Sequence, residues 1–202
     1  MGLINGGVGV RLDTDFPAGE PQVGGNIPLF LFANDLEMDF PALDCVQLVA
    51  GRVANLVNCY VQGAGAGYGI RVLPTWGAEF QLSNSRLFGN ALAGVHLGGG
   101  VDAVISGNIL DNNGLRVVGP GAATGVEVAA NVSQFIISGN AIGPVTVPGN
   151  TLATVGIRVA SGSSDFYVIT NNMCRGHQLG AVSDGGTGPD KTVTGNLPRP
   201  VS

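Results

Sequence analysis

The sequence predicts an all-β solenoid of about seven stacked coils. Three observations carry this expectation: a glycine-led strand motif that recurs along the chain, a second motif that interleaves with it, and a composition built for turns and short strands. The first motif reads Gly9-Val-Arg-Leu, Cys45-Val-Gln-Leu, Gly69-Ile-Arg-Val, Gly94-Val-His-Leu, Gly125-Val-Glu-Val and Gly156-Ile-Arg-Val, with a weaker copy at Gly180-Ala-Val-Ser. The second reads Leu31-Phe-Ala-Asn, Leu56-Val-Asn-Cys, Leu82-Ser-Asn-Ser, Ile105-Ser-Gly-Asn, Ile137-Ser-Gly-Asn, Ile169-Thr-Asn-Asn and Val193-Thr-Gly-Asn. The two motifs keep step over seven copies, and the shortest step, about 24 residues, is half a propeller blade and suits one solenoid coil.

Composition narrows the class. Glycine is 34 and proline 11 of 202 residues without a three-residue period, which excludes collagen. Hydrophobic residues are 45%, enough for a core and too many for a disordered chain. A net charge of −5 argues against nucleic acid or an anionic membrane as partner. Apolar runs stay well short of a membrane-spanning helix. The start of the chain lacks the basic and apolar regions of a signal peptide. Cys45, Cys59 and Cys174 have no metal-ligand spacing and read as small buried thiols. No metal and no cofactor is expected.

In each first-motif strand the apolar residues alternate with a polar one, so Ile70 and Val72 point inward and Arg71 outward. In each second motif the aliphatic start and the apolar residue five positions on, such as Ile105 and Leu110, point inward. Between them Gly or Asn followed by Asn makes a sharp corner, because these residues enter the left-handed region at least cost. Coils stack about 4.8 Å apart. Asn34, Asn108, Asn140, Asn172 and Asn196 then form an amide ladder, with Cys59 and Ser85 filling two steps. Residues 13–28, 116–124 and 144–155 hold the excess length and are expected as flank loops of one domain spanning 1–202.

These motifs resemble the parallel β-helix repeat of the pectate-lyase-like superfamily, over about residues 9–198. The resemblance, with the general crossover preference, implies a right-handed single-stranded parallel β-helix. The superfamily includes polysaccharide lyases, hydrolases and epimerases, and bacteriophage tailspikes. The lysine-poor, glycine-rich texture without a secretion signal is most similar to phage or prophage tailspike-type β-helices. That implies a homotrimer and a place on a virion tail or in the producing bacterium's cytoplasm before lysis; the capping helix with which such enzymes usually begin has no counterpart before Gly9, which fits a piece of a longer chain. It also implies contact with bacterial surface polysaccharide. A polysaccharide lyase or glycoside hydrolase and a ligand-free spacer are the alternatives.

Two sets of residues are candidates for chemistry. The outward stripe of the first motif runs Arg11, Gln47, Arg71, His96, Glu127, Arg158, Val182. Arg71, His96, Glu127 and Arg158 on consecutive coils offer donors and acceptors to an acidic sugar; alternating charges on a solvated sheet face simply pairing with one another is the plainer account. Six residues before the ladder position stand Glu79, Asp102, Gln134, Phe166 and Asp190. Glu79 and Asp102 fall on adjacent coils, as a glycosidase pair would, although an acid before a strand also simply makes turns. Trp76, the sole tryptophan, lies near them as a possible sugar platform or as packing. Asp13, Asp15 and Glu20 fit no defined calcium loop, and His177 is a lone turn histidine.

Overall fold

A computed structural model of the chain describes residues 7–13, 30–77, 79–99, 102–116, 121–145 and 154–197. All regular elements among them are β-strands. The first coil holds β1 (Val10–Leu12), β2 (Phe30–Asn34) and β3 (Glu37–Asp39); the second holds β4 (Val46–Leu48), β5 (Val53–Val57) and β6 (Tyr60–Gln62). The third holds β7 (Ile70–Val72), β8 (Phe80–Ser83) and β9 (Arg86–Phe88); the fourth holds β10 (Val95–Leu97), β11 (Ala103–Ser106) and β12 (Ile109–Asp111). The fifth holds β13 (Ala123–Val128), β14 (Phe135–Ser138) and β15 (Ala141–Ile142); the sixth holds β16 (Val155–Gly162), β17 (Tyr167–Thr170) and β18 (Met173–Cys174). The seventh holds β19 (Val182–Gly186), β20 (Lys191–Thr194) and a single bridge from Leu197 to Met173.

Strands from successive coils pair in parallel, in strict coil order, into three sheets. Sheet A collects the glycine-led strands, sheet B the first halves of the second motif, and sheet C the strands after its corner. This is the parallel β-helix the repeats predict. Single coils bury little; stacking makes continuous apolar columns such as Val46, Ile70, Val95, Val126 and Ile157. The motif glycine is dictated by crowding between coils: a Cβ at Gly125 would stand 2.6 Å from Ile142 and 2.8 Å from the Gly156 carbonyl.

The corner between sheets B and C falls on Asp35, Asn58, Asn84, Gly107, Gly139, Asn171 and Gly195, all with positive φ. The residue after each corner forms the ladder. Ser85 N–H donates to Asn108 Oδ1, and the chain continues through Asn140 and Asn172 to Asn196 at 2.9–3.1 Å. A second, shorter amide pair, Asn90 and Asn113, braces the far corner.

Three details differ from the sequence reading. Ala33 pairs with Leu56 and Asn34 with Val57, so the first copy of the second motif sits two residues later. Asn34 is therefore outside the ladder, which Leu36 begins. A two-residue shift preserves the in–out alternation, so the pattern could not detect it. In the seventh coil Val182 pairs with Ile157, and Ser183 takes the outward place beside Arg158. Val182 packs against the core instead. Of the expected flank loops, Ala123, Thr124 and Val155 belong to buried strand, while 14–28, 117–120 and 146–153 lie outside the described residues.

Candidate functional site

Register fixes which side chains share a face. On sheet A the outward row runs Arg11, Gln47, Arg71, His96, Glu127, Arg158, Ser183. The structure brings Arg71, His96, Glu127 and Arg158 together as expected, but largely turns them on one another. Glu127 is paired with Arg158 and accepts a 3.0 Å hydrogen bond from the Tyr68 hydroxyl. His96 Nδ1 lies 3.6 Å from Glu127 Oε2, and its ring packs on Tyr68 at 4.7 Å between centroids. The His96 imidazole, the Arg158 guanidinium and the Tyr68 hydroxyl outweigh burial and hold the Glu127 carboxyl down to about 2. Burial and that carboxylate push the Tyr68 phenol above its ordinary range.

Arg71 stacks over Tyr68 at 5.7 Å and stands 3.9 Å from Asp44, which is also held by Gln47 and the Tyr68 N–H. Arg71 Nε, His96 Nδ1 and Arg158 Nε are buried without a hydrogen-bond partner among the described residues. Tyr68 and Asp44, the hubs of this network, precede the glycine position of their motif copies. Only the three-dimensional stack shows that Tyr68 reaches across two coils.

The second set lies on sheet B. Glu79, Asp102, Gln134 and Phe166 occupy one corner column, just before strands β8, β11, β14 and β17. They form one wall of an open groove of about 480 Å³. Its floor is the outward row Gln81, Val104, Ile136 and Val168. A hydroxyl row, Ser83, Ser106, Ser138, Thr170 and Thr194, runs beside that floor. Glu79 and Asp102 are exposed and stand one coil apart, so the structure does bring this pair together.

Trp76 requires a correction. Its side chain is 2% exposed, inside the core, and its indole N–H donates to the Glu79 carbonyl. The turn is where the sequence placed it, but the ring plugs the junction of sheets A and B and presents no face to a sugar. Of the two aromatics that line the groove, Phe135 is buried and Phe166 is 62% exposed. Asp102, Gln134 and Phe166 all have positive φ, 56°, 60° and 53°. For a bulky side chain this conformation costs of order 1–3 kcal/mol.

Asp13 pairs with Arg11, and Asp15 and Glu20 lie outside the described residues. No group of three metal-ligating side chains occurs among the described residues. His177 is buried between Thr154 and Thr124.

A family model described as a right-handed β-helix region matches residues 44–197. No curated protein sequence matches the chain. Among solved structures, the A-module of the mannuronan C-5 epimerase AlgE6 of Azotobacter vinelandii is similar with a TM-score of 0.48 and 16% identity. The alignment covers 86% of this chain and 51% of that one, so the chain spans about half that module's length.

Proposed function

The chain belongs to the right-handed β-helix family, and from that premise we propose that it is a polysaccharide-contacting module whose binding face is the sheet B groove. One observation carries the reading. Phe166 is both solvent-exposed and held at positive φ, in a column where Asn or Gly would be cheaper. Backbone preference does not explain an aromatic at this place in the groove lining, and a ligand that stacks on its ring accounts for it. The apolar floor and the neighbouring carboxylates, amides and hydroxyls suit the alternating faces of a sugar chain.

In this reading the module serves a phage tail as a homotrimer and meets bacterial surface polysaccharide. The lysine-poor, glycine-rich texture supports that setting. A second reading, a depolymerase, is favoured by Glu79 and Asp102 facing the same groove from adjacent coils. Strand spacing brings them near the separation of a retaining pair.

A panel of capsular and lipopolysaccharide glycans tests both. Retained binding without new reducing ends or unsaturated products supports the module. Turnover that disappears in Glu79→Gln and Asp102→Asn supports the enzyme. Phe166→Ala should weaken binding about tenfold while leaving the melting temperature unchanged or higher. Undiminished affinity in that variant would remove the groove from the proposal.

A further inference from the structure

Charge is distributed unevenly over the three sheets. The sheet B groove is lined by two carboxylates, Glu79 and Asp102, and by no basic side chain. The corner column adds a further acid, Asp190, just before β20. The two outward rows of sheet B hold only amides, hydroxyls and apolar side chains, from Phe32 and Asn34 on the first coil to Thr192 and Thr194 on the seventh. The cations lie elsewhere. Arg11, Arg71 and Arg158 stand on sheet A and Arg86 on sheet C. Lys191 belongs to β20, but its ammonium is paired with Asp184. Arg52 precedes β5, outside the groove lining, and makes no ion pair with Glu79.

Sheets A and B also differ in how far their polar groups are already committed. On sheet A, Glu127 is taken up by Arg158 and Tyr68, and Asp44 by Gln47 and the Tyr68 N–H. In the groove, the Glu79 and Asp102 carboxylates and the Gln81 and Gln134 amides make no hydrogen bond or ion pair among the described residues. Strand spacing puts the two acids about 5 Å apart at Cα. A carboxylate, sulfate or phosphate on a bound sugar would meet both of them with no cation to offset the repulsion, and would lose water as well. An uncharged unit escapes both costs. Its hydroxyls donate to the free carboxylates and exchange hydrogen bonds with the free amides, and its apolar face meets Phe166, Ile136 and Val168.

We infer that the sheet B groove selects glycan units that carry no acidic group, uncharged hexose or N-acetylhexosamine units, and rejects uronate, sulfated and phosphorylated ones. Glu79 and Asp102 are the selecting residues. The inference rests on the groove being the glycan-binding face and adds the chemical class that this face accepts. It also sets the groove apart from the sheet A row, where the arginines are and where an acidic sugar would find its counter-charge.

The test is calorimetric titration of the intact chain with neutral capsular glycans, with acidic ones, and with each acidic glycan after its carboxyls have been reduced to primary alcohols. The reduced form should bind about tenfold more tightly than its acidic parent, and added salt should narrow the gap. Phe166→Ala should weaken binding of the reduced form. Glu79→Gln with Asp102→Asn should raise affinity for the acidic parent; both sites are exposed, and asparagine suits the left-handed backbone at Asp102, so the variant keeps its fold. An acidic parent that binds as well as its reduced form, and loses affinity in Phe166→Ala, overturns the charge selection while leaving the groove in place. Binding that Phe166→Ala leaves unchanged, or no binding across the whole set, removes the groove and the selection with it.

Discussion

At Phe166 a costly backbone conformation and an exposed ring coincide. Its backbone adopts a region that asparagine enters more cheaply, and its ring faces water. Phe166→Asn should therefore stabilise the fold by about 1 kcal/mol in urea denaturation. The same change should reduce glycan binding, so stability and affinity move in opposite directions. A loss of stability would mean that the ring packs against the sheet in solution, and the strain argument would lapse. The sequence placed Phe166 in the right column but could not show its exposure, because position along a strand fixes direction and not depth. Trp76 failed for the same reason. A tryptophan in a turn can face outward or plug a junction, and only the stack of sheets A and B decides.

At the scale of the coil, the ladder residue does the most for its size. Asn140 is 1% exposed, and its side chain makes four hydrogen bonds to the two neighbouring coils. Its amide donates to the Ile105 carbonyl and to Asn172 Oδ1, while its oxygen accepts two bonds from Asn108. Asn140→Ala removes all four bonds and leaves the buried Asn108 N–H without its ladder partner, which should cost about 3 kcal/mol or more. Asn196→Ala, at the half-buried end of the ladder, should cost about 1 kcal/mol. Equal losses by urea titration would show that the ladder merely follows the backbone. The ladder's middle was legible because Gly-Asn and Asn-Asn mark a corner in sequence. Its start was not, because Asp35 makes the first corner and a two-residue shift leaves alternation intact. The seventh-coil slip was legible in principle: Val182 inward and Ser183 outward is what alternation favours, and the weak Gly180 copy concealed it. The sheet A stripe was read correctly as a row, but self-pairing through Tyr68 and Asp44 depends on side-chain reach between coils, which spacing along the chain does not encode.

For the whole molecule, acid should act in two separate windows. His177 is buried between Thr154 Oγ1, 3.2 Å from Nδ1, and Thr124 Oγ1, 3.5 Å from Nε2. Burial holds it down to about 4, against an ordinary 6.5, despite a backbone hydrogen bond that favours the charged ring. The unfolded chain therefore takes up this proton first, and stability falls as pH drops from about 6.5 to 4. The loss from this one group is roughly 3 kcal/mol, spread over that window. Glu127 acts lower: its folded value of about 2 lies below the ordinary 4.5, so its stabilisation is lost between those values. The coils tie these groups together, since His177 sits in the turn leading to the seventh coil and Glu127 spans the third to the sixth through Tyr68 and Arg158. Urea midpoints measured in steps from pH 7 to pH 3 should fall through the first window in the wild type. His177→Gln should flatten that segment and leave the steeper fall below pH 4.5 in place. A wild-type midpoint that stays level between pH 6.5 and 4 would mean that the buried imidazole takes up its proton without opening the coil.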